Sequence, residues 1–88
     1  MRPVFRKQFT KDLRRAERRG KDPEKLRSII DQLLAGHPLE PRHRPHKLRG
    51  NWSEYWECHI EPDWLLIWKP EEDRLIFVRT GTHSDLFR

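Results

Sequence analysis

Apolar residues recur along this chain in two rhythms. In its first third Phe5, Phe9, Leu13 and Ala16 are spaced four, four and three apart, which lays one apolar stripe along a helix from about Arg6 to Arg19. Lys7, Lys11, Arg14, Arg15 and Arg18 take the remaining surface, and Gly20 is placed to end the helix in a left-handed conformation. The second helix has clearer punctuation: Asp22 as N-cap, Pro23 at the first helical position and Glu24 near the positive end of the dipole. Its stripe is Leu26, Ile29, Ile30, Leu33 and Leu34, and Gly36 closes it. The short Gly-Lys-Asp connection makes the pair a helical hairpin whose apolar side needs a cover.

Between Gly36 and Gly50 the pattern breaks: Pro38, Pro41 and Pro45 alternate with His37, His43, His46, Arg42 and Arg44, which predicts a loop. Three runs rich in aromatic and β-branched residues follow, Glu54 to Ile60, Trp64 to Lys69 and Leu75 to Thr80. Glu61-Pro62-Asp63 and Pro70 to Asp73 read as the turns between them. Connectors this short predict an antiparallel meander, since a parallel neighbour needs a crossover of roughly a dozen residues. Pro3 to Phe5 are candidates for a short N-terminal edge strand. The expected architecture is α+β, a single domain over residues 1–88 with the hairpin packed on one face of a small antiparallel sheet. By strand parity Trp56, Cys58 and Ile60 pack under the helices, and Tyr55, Glu57 and His59 face away. Parity reads one face as fully apolar and the other as bearing titratable groups. It leaves the side taken by Arg79 open.

Composition supports one compact core. Only 34% of the 88 residues are hydrophobic and 38% are charged, but four Trp, four Phe and one Tyr concentrate the apolar surface in large rings. Cys58 is a lone cysteine, so no intrachain disulfide exists and a reducing cytosol is the expected setting. No apolar run approaches the roughly 18 residues of a membrane span, and no signal-peptide pattern opens the chain. The net charge of +5 is unevenly spread, with fifteen Lys or Arg against six Asp or Glu in residues 1–50 and four against eight in the remainder. A basic half on a small domain is the electrostatic footprint expected for a polyanion, although it also suits a merely solvated surface.

Three histidines flank or enter the sheet: His46 before it, His59 on its first strand and His83 after its last. A His pair around one phosphate can act as base and acid near neutral pH, which is what RNA scission by the 2′-hydroxyl requires. His59 and His83, with Arg79 as the cation and Asp63 as an orienting or proton-donating carboxylate, supply every part. The same residues have plain structural readings: Asp63 as a turn former, Arg79 as a salt-bridge partner, Trp64 and Phe87 as core rather than base-stacking platforms. Metal binding by Cys58, His59 or the loop histidines is disfavoured, because adjacent strand residues diverge and no metal-ligand spacing occurs. No cofactor is expected.

Three ordered blocks add specificity: His46-Lys47-Leu48-Arg49-Gly50-Asn51-Trp52, His59-Ile60-Glu61-Pro62-Asp63-Trp64-Leu65-Leu66-Ile67, and Arg79-Thr80-Gly81-Thr82-His83-Ser84-Asp85-Leu86-Phe87. Together they closely resemble the YafQ family of bacterial toxins within the RelE-like superfamily. The resemblance is dense over residues 46–87, and upstream it matches in pattern more than identity. It implies a cytoplasmic, metal-independent endoribonuclease toxin that cuts mRNA in the A site of the 70S ribosome, touching 16S rRNA. It also implies a DinJ-like ribbon-helix-helix antitoxin, the complex of the two binding operator DNA. The family's functional positions fall on His46, His59, Asp63, Trp64, Arg79, His83 and Phe87, with Glu57 where the family often has a carboxylate and Lys47 and Arg49 as RNA-binding cations. The expected roles are His83 as base, Asp63 as acid, and His46, His59 and Arg79 stabilising the transition state, although exchanging base and acid between His83 and His59 satisfies the same chemistry. The alternative is a noncatalytic RNA- or antitoxin-binding module on the same fold.

Overall fold

The computed structural model describes residues 1–87. Strand β1 (Arg2–Phe5) leads into helices α1 (Lys7–Arg18) and α2 (Pro23–Leu34), followed by a two-residue strand β2 (His46–Lys47), strands β3 (Trp56–Glu61), β4 (Trp64–Glu71) and β5 (Arg74–Gly81), and a single-turn helix α3 (His83–Leu86). The helix signals act as expected. Asp22 caps α2 by accepting from the Glu24 N–H at 3.0 Å, and Gly20 and Gly36 take φ values of +88° and +74° just beyond the two helices.

The sheet order is β1-β5-β4-β3-β2. β2 to β5 form the antiparallel run, but β1 lies parallel to β5, Arg2 to Phe5 registering with Arg74 to Phe77. The sheet is therefore mixed rather than wholly antiparallel, because the α1–α2 hairpin and all that follows it serve as the long crossover that a parallel pair needs. The loop expected between Gly36 and Gly50 also gives up two residues to β2, where His46 registers with Glu57 and Lys47 with Trp56. The β4–β5 turn shortens to Glu72 and Asp73, Glu72 taking a φ of +57°.

The hairpin covers one face of the sheet. Phe9, Ala16, Leu26, Ile29 and Ile30 pack on Cys58, Ile60, Trp64, Leu66, Trp68, Leu75 and Phe77. Burial there pushes the Cys58 thiol up to about 12. The opposite face is not purely titratable: Ile67, Ile76 and Val78 form a second buried cluster, flanked by Val4, Leu48, Tyr55 and Leu86. A bulge decides what parity left open. Ile67 registers with Arg79 and Trp68 with Phe77, so Val78 is the extra residue and Arg79 is carried out of step with Phe77.

Candidate active site

Alternation on β3 sends Cys58 into the core and Glu57 and His59 to the other side. The register with β2 sets His46 beside Glu57, and the β3–β4 turn supplies Asp63. The last contributor, His83, stands at the start of α3. A helix this short does not form by its own hydrogen bonds. It is held by a capping box, in which Thr82 Oγ1 accepts from the Asp85 N–H at 3.1 Å and Asp85 accepts from the Thr82 N–H at 2.9 Å. The Asp85 carboxylate is also gripped from α1, Arg19 Nη1 donating at 2.7 Å and Arg15 Nη2 lying at 3.6 Å. Arg19, foremost, holds the Asp85 carboxyl well below the usual range. Gly81 leaves room for this carboxylate, since a β-carbon there would fall 2.9 Å from Asp85 Oδ2.

The result is a continuous string of titratable groups. His46 Nε2 lies 3.4 Å and His59 Nε2 3.9 Å from Glu57 Oε1, so one carboxylate, 6% exposed, serves two imidazoles. The His59 and His83 rings are 5.7 Å apart. Asp63 Oδ1 accepts from the His83 backbone N–H at 2.9 Å and from its Nδ1 at 2.7 Å. The backbone bond first, and then the imidazole, hold the Asp63 carboxyl below its ordinary range. A carboxylate bonded in this way is placed to orient His83. Because carbonyls only accept, the Nδ1 atoms of His46 and His59 carry the protons given to the Arg44 carbonyl at 2.8 Å and the Pro62 carbonyl at 3.2 Å. In each of these two rings, as in His83, Nε2 remains for chemistry.

Two expected site residues have other partners. Trp64 is 1% exposed and donates its indole N–H to Thr80 Oγ1 at 2.9 Å, so it is core and offers no face to a base. Arg79 is engaged by Asp12, Nε to Oδ2 at 2.7 Å and Nη2 to Oδ1 at 3.3 Å. Asp12 is 2% exposed and also accepts the Thr80 N–H at 3.2 Å, closing the β5 edge where β1 has ended. Phe87 is exposed, and so is Trp52, whose ring lies 6.3 Å from Phe87 and 5.2 Å from Tyr55. This aromatic group, with exposed Lys47 and Arg49 on the neighbouring segment, offers the stacking surface that Trp64 does not. Sequence reasoning missed Asp12, Tyr55 and Trp52 as contributors. Trp52 had a signal in its place in the first motif block and Tyr55 in its strand parity with Glu57 and His59, whereas Asp12 had none.

The hairpin on a mixed five-stranded sheet, with a histidine–carboxylate string on the far face, defines a RelE-like α+β toxin domain. The chain belongs to the YafQ family, bacterial toxins of type II toxin–antitoxin systems, whose family model matches residues 1–88. It is 42% identical over 81 residues to the mRNA interferase toxin YafQ of Escherichia coli K12, covering 91% of this chain and 88% of that one. Among solved structures, YafQ in the E. coli DinJ–YafQ complex superposes with a TM-score of 0.92 at 39% identity, with full coverage of both chains. A copper-bound mutant toxin from Helicobacter pylori superposes with a TM-score of 0.95 at 37% identity, 99% of each chain being covered. Among the described residues here no group of three or more His, Cys, Asp or Glu is arranged to hold a metal.

Proposed function

We propose that this chain is an mRNA interferase, a metal-independent endoribonuclease toxin that cuts mRNA in the ribosomal A site. The Asp63–His83 pair beside His59 carries the reading. Asp63 holds the proton on His83 Nδ1, which leaves Nε2 as the base that takes the 2′-hydroxyl proton. The 2′-oxygen attacks the adjacent phosphorus as the P–O5′ bond breaks, giving a 2′,3′-cyclic phosphate and a 5′-hydroxyl. His59, its Nε2 3.9 Å from buried Glu57, gives the proton to the departing 5′-oxygen. One proton is taken and one returned. His46, across the same Glu57, is placed to stabilise the developing phosphorane. Arg79 joins it to the extent that Asp12 shares its guanidinium.

The openness of the site supports ribosome dependence. The His83 and Asp63 side chains are more than half exposed, so the domain has little wall of its own to hold RNA in line, and the decoding site would supply it. The basic α1 surface suits 16S rRNA, and the same charge suits an acidic antitoxin segment. By analogy with the DinJ complex of its relative, a ribbon-helix-helix antitoxin holds the toxin inactive in the cytoplasm, the pair binding operator DNA. The test is a purified translation reaction with and without ribosomes, in which mRNA ends are mapped. Wild type yields new 5′-hydroxyl ends only with ribosomes, and a folded His83→Ala variant yields at least about 100-fold fewer. Equal cutting by that variant rejects the assignment, and translational arrest without new ends favours a noncatalytic binding module.

A further inference from the structure

The segment Pro41 to Pro45 touches both ends of the His46–Glu57–His59 group without belonging to it. His43, 8% exposed, donates Nδ1–H to the His59 carbonyl at 2.7 Å, and the Arg44 carbonyl receives His46 Nδ1. Between this segment, α2 and the β3–β4 turn opens a cleft of about 400 Å³ walled by Lys25, Arg42, His43, Arg44, His59 and Glu61. That volume lies in the range of roughly 300–1,000 Å³ found for small-ligand sites. Its charges are not equally available. Glu61 is divided between Lys21 at 2.7 Å and Lys25 at 2.8 Å, and Arg42 pairs with Glu40 at 3.3 Å. Arg44 makes no ion pair among the described residues. Its backbone is left-handed, φ +45° and ψ +54°, a conformation that glycine adopts with less strain. A cation thus stands on a left-handed backbone at the rim of a cleft that begins at His59.

We infer that this cleft seats the RNA phosphodiester next to the one that is cut, with Arg44 as its contact. The inference rests on the endoribonuclease reading and specifies how the substrate runs beyond His59. A charge-assisted bond from Arg44 fixes the strand on one side of the scissile phosphate.

The experiment uses the whole chain and a labelled single-stranded RNA with every 2′-hydroxyl methylated, so that it binds but is not cut. Affinity is read by anisotropy across a salt series, beside mRNA cleavage in the translation reaction. Arg44→Gly removes the cation while relaxing the backbone, so it keeps or raises Tm. It weakens binding about tenfold, as loss of one charge-assisted contact does. Its log K against log salt slope becomes shallower by about 0.7, one phosphate's worth for single strands. Arg44→Lys retains most of the affinity, and Arg2→Gln on β1, at the opposite edge of the sheet, changes neither quantity. Wild-type affinity and slope in Arg44→Gly, an equal loss in Arg2→Gln, or no measurable binding by wild type overturns the seat. If mRNA is still cut by wild type, the enzymatic reading survives that failure. If wild type cuts no mRNA, the enzymatic reading itself falls.

Discussion

The two faces of β3 differ by one residue in register and by everything in environment. Cys58 faces a dry layer sealed by the hairpin, with Leu66, Trp64 and Phe77 each exposed by no more than 1%. Glu57 and His59 face a surface where buried carboxylate, imidazole and solvent meet. The first face tolerates no polar group without a partner, and Trp64 and Thr80 show how it complies, by bonding to each other. The second face carries an apolar floor at Ile67, Ile76 and Val78, so its histidines stand on a packed base and not on a mobile loop. Chemistry is affordable on one side because stability is concentrated on the other.

The separation can be broken from the core side first. Phe77→Ala removes a fully buried ring in contact with Phe5 and Phe9, and is expected to destabilise by about 3–5 kcal/mol. Denaturant unfolding measures it, and activity should disappear only in step with the folded fraction. From the site side, Asp63→Asn should leave Tm unmoved, because both partners are exposed, and slow cleavage about tenfold, or ~1.4 kcal/mol of transition-state stabilisation. A loss of several orders of magnitude would instead mark Asp63 as the proton donor. The mildest probe is acid. The Asp63 and Asp85 carboxyls are both lowered in the fold, so the ties they make to α3 are complete above the unfolded Asp value of about 3.9 and are lost as pH falls through their lower folded values. NMR should show His83 and Thr82 loosening there before Leu66 or Phe77 does, whereas simultaneous loss would mean that the two faces unfold as one.

Much of this arrangement was legible in the chain. Asp22-Pro23, Gly20 and Gly36 fix the helix ends through local chemistry, and the β3–β5 runs declare themselves by their aromatic content. What was not legible depends on distant partners. Nothing within Arg2 to Phe5 states that the strand runs parallel to β5, and two residues inside a proline-rich stretch carry no strand signal until Glu57 and Trp56 lie opposite. The bulge at Val78 is set by packing on β4, so the side taken by Arg79 could not be read from parity, and its partner Asp12 looked like one more polar residue on a basic helix. Helix α3 is the exception: Thr82-His83-Ser84-Asp85 has the spacing of a capping box, a local signal that a motif match alone passes over. For the site, the motif blocks name His46, His59, Asp63 and His83. Only the geometry separates them from Trp64, which has the same sequence credentials and an entirely internal position.

The pairing of β1 with β5 sets an order of events in time. Residues 2–5 emerge from a ribosome early, yet their partners are residues 74–77, so this edge of the sheet stays open until nearly all of the described chain has been made. At about 5–20 residues per second that interval lasts several seconds. During it the N-terminal hairpin has no sheet to cover, and His83 does not yet exist. Until the last strand arrives, the apolar stripe of the hairpin stays open to solvent and to whatever else can cover it.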